Sequence, residues 1–290
     1  MKVILFAQPF TLFRRFLLSL LLIIPHVAYS AEPQKHVIGC WYGGFFSCFC
    51  AVLNQLDWCE ANNKTPAVYW GPLSYYYVEG GYRNEHTNVW EYYFEPVSRM
   101  RYEPGDQVYN VYTFTDGPSC RFCWDKINQQ TRDYAFYLIT KYVKINPIVQ
   151  QKIDDFSRAN MRSNTIGIHL RGTDKKIEEE PVSPEQITAA ALTYADSDTQ
   201  FLLATDEQQL LDRMIALLPG RKIFFYNCYR SDDGTPLHIG QKKVLPAQLG
   251  EDVLVEVLLL AQCSMLVHTV SNVSTGVLYF NPYLPHCLVK

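Results

Sequence analysis

The chain has 290 residues, 48% of them hydrophobic, and a formal net charge of -3 at pH 7. This hydrophobic content supports a substantial core, and the slightly acidic balance argues against nucleic acid as the main partner. No G-x-G-x-x-G follows a predicted strand, and neither a P-loop nor a G-x-S-x-G elbow is present. The sequence therefore does not support a dinucleotide enzyme, a P-loop enzyme or an α/β-hydrolase.

The first 30 residues have the pattern of an export signal. Arg14 and Arg15 precede an apolar run at 16–24, and small residues at 28–31 follow Pro25. The run is shorter than the roughly 20 residues that a membrane span needs. We therefore predict a signal over residues 1–30 and an exported protein, secreted, periplasmic or lumenal. The alternative is an uncleaved signal that anchors the protein in a membrane by a single pass.

Nine cysteines follow this segment. In an oxidising compartment several would pair, and the odd count leaves at least one free or paired between chains. Cys120 and Cys123 have the spacing of a zinc pair, but no second pair or histidine cluster accompanies them. We expect a disulfide or free thiols there in preference to zinc.

The first half opens with a predicted strand at 36–40, a helix from Ser47 to Ala61 and a strand at 67–70. Residues 69–112 are rich in aromatic side chains and lack periodicity, which indicates loops and short helices. Their rings would form either part of the core or a wall that binds saccharide faces. Residues 126–160 are predicted to be helical, in two pieces that divide near Pro147.

The second half alternates strands and helices. Strands are predicted at 165–171, 200–205, 222–227 and 264–268, and each is followed by a helix or a loop. Helices are predicted from Pro184 with Ser183 as cap, after the strand at 200–205, at 251–262, and from Ser271 onward. The D-x-D of Asp196 and Asp198, a metal-site pattern of some glycosyltransferases, precedes a strand, so we expect a turn there.

This alternation predicts parallel, doubly wound sheets. We predict an α/β fold of two Rossmann-like halves that face a cleft, with residues 31–155 in the first half and residues 156–290 in the second. No internal repeat is present.

The two faces of the predicted strand at 165–171 carry different kinds of residue. Its alternation places three aliphatic side chains on one face and three different residues on the other: Ile166, Ile168 and Leu170 against Gly167, His169 and Arg171. Arg171 thus lies at the carboxyl end of the strand, where open α/β sheets hold their ligands.

Two later strand ends also carry polar residues. One leads into Asp206 and Glu207, and the last leads into a helix start that contains Ser271 and Asn272. A helix N-terminus with small hydroxyl residues is an anion site, and Arg171 would add a charge-assisted hydrogen bond to the same anion. Together these strand ends predict a diphosphate pocket.

Each residue has a purely structural alternative. Asp206 would be a plain N-cap, His169 a hydrogen-bonded core histidine, and Arg171 the partner of Asp174. Glu256 interrupts an apolar helix, so its carboxylate must be exposed or specifically paired.

Three segments resemble the motifs of the α-1,6-fucosyltransferase superfamily in order and spacing: IGIHLRGTDKK, FLLATDEQQLL and EVLLLAQCSMLVHTVSNVS. The resemblance covers residues 160–280. It implies a GT-B-like architecture of two Rossmann-type lobes, with the nucleotide sugar bound by the C-terminal half and the acceptor on the N-terminal side. It also implies an inverting transferase that uses GDP-fucose without a metal and has no other cofactor.

The resemblance also implies roles for the residues of the donor pocket. Arg171 would hold the donor diphosphate, with His169 close to the nucleotide and Asp206 at the donor site. Glu256 occupies the place of an aspartate that recognises guanine in the family.

The remaining roles concern the phosphate and the reacting hydroxyl. Ser271 and Asn272 lie where a serine helps to bind phosphate. Glu179 falls at the spacing of the family's catalytic base, and Lys175 matches a lysine beside it. The catalytic set is therefore Glu179, Lys175 and Arg171.

The sequence departs from the family at Gly172, which stands where a second arginine is frequent, at Asn272, which replaces a serine, and at Glu256, which is one methylene longer than aspartate. The alternatives are a transferase of another nucleotide sugar, or a glycan-binding protein of the same fold that no longer transfers. The expected partners are a nucleotide-sugar donor and a glycan or glycoprotein acceptor, with no nucleic acid, and a membrane only if the signal stays uncleaved.

Overall fold

The structure, a computed structural model, describes residues 34–83, 87–112, 120–123, 127–172, 182–237 and 243–290. The predicted signal at residues 1–30 lies outside these ranges, as do Lys175, Asp174 and Glu179. None of the described helices is long and apolar enough to cross a membrane.

A three-stranded parallel sheet forms in the first half of the chain. Its strands are β1 (Lys35–Gly39), β2 (Thr65–Tyr69) and β3 (Val108–Tyr109), in the order β2-β1-β3. Helix α1 (Phe45–Ala61) connects β1 to β2, which confirms the predicted β-α-β opening.

The predicted start of α1 is wrong, because the helix begins after Gly44 and not at Ser47. Gly44 provides no side-chain cap, but Phe45 and Phe46 are 2% and 1% exposed. Their burial in the core extends the helix two residues before the hydroxyl that could have capped it, since tertiary packing outweighs a local capping preference.

The aromatic segment after β2 forms core. Trp70, Trp90 and Phe94 are almost fully buried, and Trp90 belongs to a short helix, α2 (Val89–Tyr93), that Asn88 caps through its side chain. The core interpretation is therefore confirmed for these rings.

Two helices follow, α3 (Gln129–Tyr142) and α4 (Pro147–Asn160), as the division near Pro147 predicted. Pro147 occupies the first turn of α4, where the missing N–H of proline removes no hydrogen bond, and the Asn146 side chain caps the helix.

A five-stranded parallel sheet forms in the second half, in the order β6-β5-β4-β7-β8. Its strands are β4 (Thr165–Leu170), β5 (Gln200–Thr205), β6 (Lys222–Phe225), β7 (Met265–His268) and β8 (His286–Leu288). The helices between them are α5 (Pro184–Leu192), α6 (Gln208–Ala216), α7 (Pro246–Leu260) and α8 (Asn272–Phe280). The short edge strand β8 was not predicted, and α7 begins five residues before its predicted start at Glu251.

Both faces of β4 are buried. Ile166, Ile168 and Leu170 pack into one hydrophobic cluster, while a Cβ at Gly167 would lie 2.7 Å from Cδ2 of Leu260 in α7. The predicted alternation is confirmed, and its second face packs against a helix.

The fold is thus mixed α/β with parallel sheets, as predicted. Residues Gln34–Lys290 form one compact unit, in which α8 packs on α1 and α3, and α7 packs on α2 and α4. Because Gly276 has no side chain, α8 can lie directly against the ring of Phe46 in α1. The domain bounds 31–155 and 156–290 remain a prediction.

Candidate active site

A cavity of about 360 Å³ lies beyond the carboxyl ends of β1, β4, β5 and β7 and along one face of α7. This is the edge at which open parallel sheets bind ligands, and the volume lies within the range of about 300–1,000 Å³ typical of small-molecule sites. Every predicted site residue that the structure describes lines it: His169, Arg171, Asp206, Glu256, Ser271 and Asn272. The structure therefore brings these six residues together, and the positions of Lys175 and Glu179 lie outside the described residues.

Arg171 is held at the cavity by Asp206. Its Nη1 lies 3.1 Å from Oδ2 of Asp206, whose Oδ1 accepts a hydrogen bond of 2.8 Å from the backbone N–H of Gly172. The backbone N–H of Arg171 donates to Oγ1 of Thr269 at 3.2 Å. Asp206 is therefore not the plain N-cap of the structural alternative, because Glu207 occupies that position in α6. Its carboxylate orients the guanidinium instead.

The amino end of α8 opens on the same cavity. Oγ of Ser271 accepts the N–H of Ser274 at 3.0 Å, and the hydroxyl of Ser274 donates to the carbonyl of Thr269 at 2.9 Å. Both Asn272 and Val273 line the cavity, and within the described residues their backbone N–H groups have no hydrogen-bond partner. Helix amides in this state carry partial positive charge and suit an anion.

A second helix amino end, that of α1, meets the cavity from the other sheet. Gly43, Gly44 and Phe45 line it, and the N–H of Phe45 donates to Oη of Tyr76 at 2.8 Å. A Cβ at Gly43 would lie 2.9 Å from the ring of Trp41, so glycine permits this close turn. None of Gly43, Gly44 and Phe45 was predicted as a site residue from the sequence. The signal that could have identified this helix end was the Gly-Gly pair, which lies between the predicted strand at 36–40 and the predicted helix.

His169 is 4% exposed, and its Nδ1 has no hydrogen-bond partner among the described residues. Burial lowers its pKa to about 3, although the nearby Asp206 carboxylate opposes this shift. The imidazole is therefore neutral near pH 7. The structural alternative, a core histidine whose ring nitrogens are hydrogen-bonded, therefore does not hold for Nδ1.

Glu256 projects from α7 and is paired, as its position in an apolar helix required. Its Oε1 accepts hydrogen bonds from Nη2 of Arg230 at 3.0 Å and from Sγ of Cys228 at 3.4 Å. Burial raises the pKa of Glu256 to about 7, and the guanidinium of Arg230 opposes the rise.

Asp252 is a further acid on this wall that the sequence analysis did not single out. It lies one helical turn before Glu256, lines the cavity and is 7% exposed. Burial raises its pKa to about 6, although a hydrogen bond from Gln248 opposes the rise. The i, i+4 spacing of the two acids was the available signal.

Gly172, where the sequence departs from the motif, lies in a tight space. A Cβ there would lie 2.7 Å from Cδ1 of Leu210 and 2.8 Å from Cδ of Glu207. A larger residue would have to shift the ends of both side chains.

Two other predicted features lie apart from the residues that line the cavity. Cys120 and Cys123 form a disulfide, one of the two alternatives left open. The carboxylate of Asp196 accepts hydrogen bonds from Asp198 and Thr199 in the turn before β5, which confirms the predicted turn. Within the described residues no cluster of metal-ligating side chains is found.

The fold and the cavity together define a Rossmann-type α/β protein with a pocket at the carboxyl ends of its parallel strands. No protein-family model matches the sequence, and no curated protein matches it either.

Solved structures of fucosyltransferases share the fold. NodZ alpha-1,6-fucosyltransferase soaked with GDP-fucose is similar with a TM-score of 0.57 at 14% identity, over 87% of this chain and 94% of that one. NodZ from Bradyrhizobium has a TM-score of 0.56 at 17% identity, over 89% and 95% of the two chains. POFUT1 in complex with GDP has a TM-score of 0.53 at 11% identity, over 89% and 98%. At these identities the likeness is one of fold, and it confirms the GT-B-like α/β fold that the three motifs implied. The arrangement of two lobes about a cleft stays a prediction.

Proposed function

We propose that the protein is an inverting, metal-independent glycosyltransferase that transfers fucose from GDP-fucose to a hydroxyl group of a glycan or glycoprotein. One observation above all supports this: Arg171 and the amino ends of α1 and α8 converge on a single cavity. The likeness to structures that hold GDP-fucose or GDP adds support for a nucleotide sugar as the ligand.

The cavity suits a diphosphate for electrostatic reasons. Each helix amino end acts as roughly half a positive charge, and Arg171 adds a cation whose charge the carboxylate of Asp206 partly offsets. The guanidinium is already oriented by Asp206 at 3.1 Å, so little side-chain entropy remains to be lost when an anion binds. His169, neutral at its low pKa, adds no charge but offers a ring nitrogen close to the nucleotide.

In the proposed transfer, the acceptor oxygen attacks the anomeric carbon from the side opposite the diphosphate. The bond from that carbon to the β-phosphate oxygen breaks, its electron pair stays on GDP, and the acceptor proton passes to Glu179. Lys175 lies close to this base in sequence. Arg171 and the helix amides stabilise the charge that develops on the leaving phosphate, and a well-placed donor of this kind is worth about 3 kcal/mol. In this scheme these groups balance the charge without a metal ion.

We also propose that the protein acts in an exported or secretory compartment, because residues 1–30 have the pattern of a signal. An uncleaved signal would instead keep it membrane-anchored with the same orientation.

The proposal is tested with purified mature protein. Thermal-shift measurements compare GDP, UDP and their sugars, and mass spectrometry follows hydrolysis of GDP-fucose. Stabilisation by GDP and release of fucose support the proposal. Stabilisation by UDP alone would indicate another nucleotide sugar. Indifference to every nucleotide would indicate a glycan-binding protein of the same fold.

A further inference from the structure

Two carboxyl groups of α7 lie on the wall of one cavity. Asp252 and Glu256 both line it, and residues four apart are neighbours on a helix surface. Asp252 is 7% exposed and the side chain of Glu256 is 14% exposed. Two neighbouring acids held away from water are unfavourable on their own, so their retention calls for a partner that donates hydrogen bonds to them.

The hydrogen bonds of these two acids leave two separate acceptor oxygens. Oε1 of Glu256 is occupied by Arg230 and Cys228, and Oδ1 of Asp252 accepts from Nε2 of Gln248 at 2.8 Å. Within the described residues, no hydrogen bond reaches Oε2 of Glu256 or Oδ2 of Asp252. A ligand that contacts this wall therefore meets one open oxygen from each side chain.

Guanine carries the matching set of donors. One edge presents the ring N1–H and an exocyclic amine with two further N–H groups, so it offers three donor hydrogens. The single open oxygen of Glu256 cannot serve the ring N–H and the amine equally well, and a donor left unpaired in a dry site is costly. Uracil is a poorer match, because its one N–H lies between two carbonyl oxygens that carboxylates repel.

We propose that Asp252 is a second base-recognition residue, whose Oδ2 accepts from the exocyclic amine of guanine while Oε2 of Glu256 accepts from N1–H. This inference rests on the proposed function, since it requires a guanine nucleotide in the cavity. Arg230 then acts as a positioning residue, because it fixes one oxygen of Glu256 and leaves the other for the base.

The test compares GDP with inosine diphosphate, which differs from GDP only in lacking the exocyclic amine. Isothermal titration calorimetry on the full purified protein measures both affinities for the wild type and for Asp252→Ala. We expect the wild type to prefer GDP by about tenfold or more, as for a hydrogen bond to a charged acceptor. In Asp252→Ala, GDP affinity should fall to the level of inosine diphosphate, whose own affinity should change little.

Alanine is the best helix former, so Asp252→Ala should fold, and Asp252→Asn provides a second variant that keeps the side-chain volume. The matched control is Asp154→Ala on α4. Asp154 is exposed and accepts from Gln150 at 2.8 Å, the same i, i+4 arrangement as Gln248 and Asp252, but away from the cavity. The preference for GDP should be unchanged in this control.

The outcomes separate the two proposals. If the wild type does not bind GDP, the proposed function is wrong and this inference falls with it. If GDP binds but Asp252→Ala keeps the full preference over inosine diphosphate, only the role of Asp252 is wrong. An equal loss of affinity for GDP and for inosine diphosphate would also overturn the role of Asp252, because a residue that recognises the exocyclic amine should affect GDP alone.

Discussion

Replacing Arg171 with alanine tests the site most directly. The guanidinium side chain is 20% exposed and paired to Asp206 at 3.1 Å. Truncating one partner of a buried, hydrogen-bonded charge pair costs roughly 2–5 kcal/mol of binding, and partial exposure places Arg171 at the lower end. A loss of about 2–3 kcal/mol corresponds to roughly 30–150-fold in Kd for GDP.

The same change affects stability by a smaller amount. Asp206, whose side chain is 9% exposed, keeps the hydrogen bond from the N–H of Gly172 but loses its ion pair with Arg171. We expect a cost of about 1–2 kcal/mol, because the pair is only partly shielded from water. In a chain of this size the melting temperature should fall by about 2–4 °C per kcal/mol, so the variant should remain folded at 25 °C.

Calorimetry with GDP and a thermal melt of the same preparation distinguish the two effects. Arg171→Lys keeps a charge but loses the planar fork, and should show an intermediate affinity. Arg158→Ala is the control, since Arg158 is 72% exposed and, among the residues that the structure describes, pairs with Asp155 alone on the surface of α4. Unaltered GDP affinity in a folded Arg171→Ala protein would show that the diphosphate does not bind at this guanidinium.

Four further predictions follow from the site and the fold. Glu179→Gln should retain GDP affinity and lose transfer, measured by calorimetry and mass spectrometry; undiminished turnover would move the base elsewhere. GDP affinity should weaken as pH falls from 8 to 6, because the pKa of Glu256 is about 7 and a protonated carboxyl accepts poorly; a flat calorimetric profile would contradict this. The pKa of Asp252 is raised to about 6 from an ordinary value of 3.8, so the folded state loses stability as the pH rises through that range. Measured by urea unfolding, Asp252→Asn should therefore be more stable than the wild type by up to about 3 kcal/mol above pH 6, and should differ little at pH 4. Gly276→Ala should lower the free energy of unfolding by about 1–3 kcal/mol in the same assay, because the new methyl group collides with the ring of Phe46. An unchanged urea midpoint would show that α1 and α8 can move apart.

Much of the fold was predictable because its signals are local. The helical segments α3, α4 and α5 were predicted, and Ser183 caps α5 as expected. Helix α4 begins at Pro147, near which the helical segment at 126–160 was predicted to divide. Strands were predicted at 165–171 and 200–205, and the structure has β4 at Thr165–Leu170 and β5 at Gln200–Thr205.

Errors occurred where distant packing overrode a local preference. Helix α1 begins before the cap expected at Ser47, because Phe45 and Phe46 are buried in the core. The edge strand β8 has three residues, too few to show a period of its own, and forms by pairing with β7.

The alternation of strands and helices and the polar residues at three strand ends can be identified from the sequence, because periodicity and chain order are local properties. Long-range packing, in contrast, pairs Arg171 with Asp206, 35 positions away in the chain, and brings Arg230 to Oε1 of Glu256. It also decided that the amino end of α1 reaches the same cavity as that of α8. These contacts arise when two sheets and the helices between them bury their apolar faces together, and no short stretch of sequence contains that information.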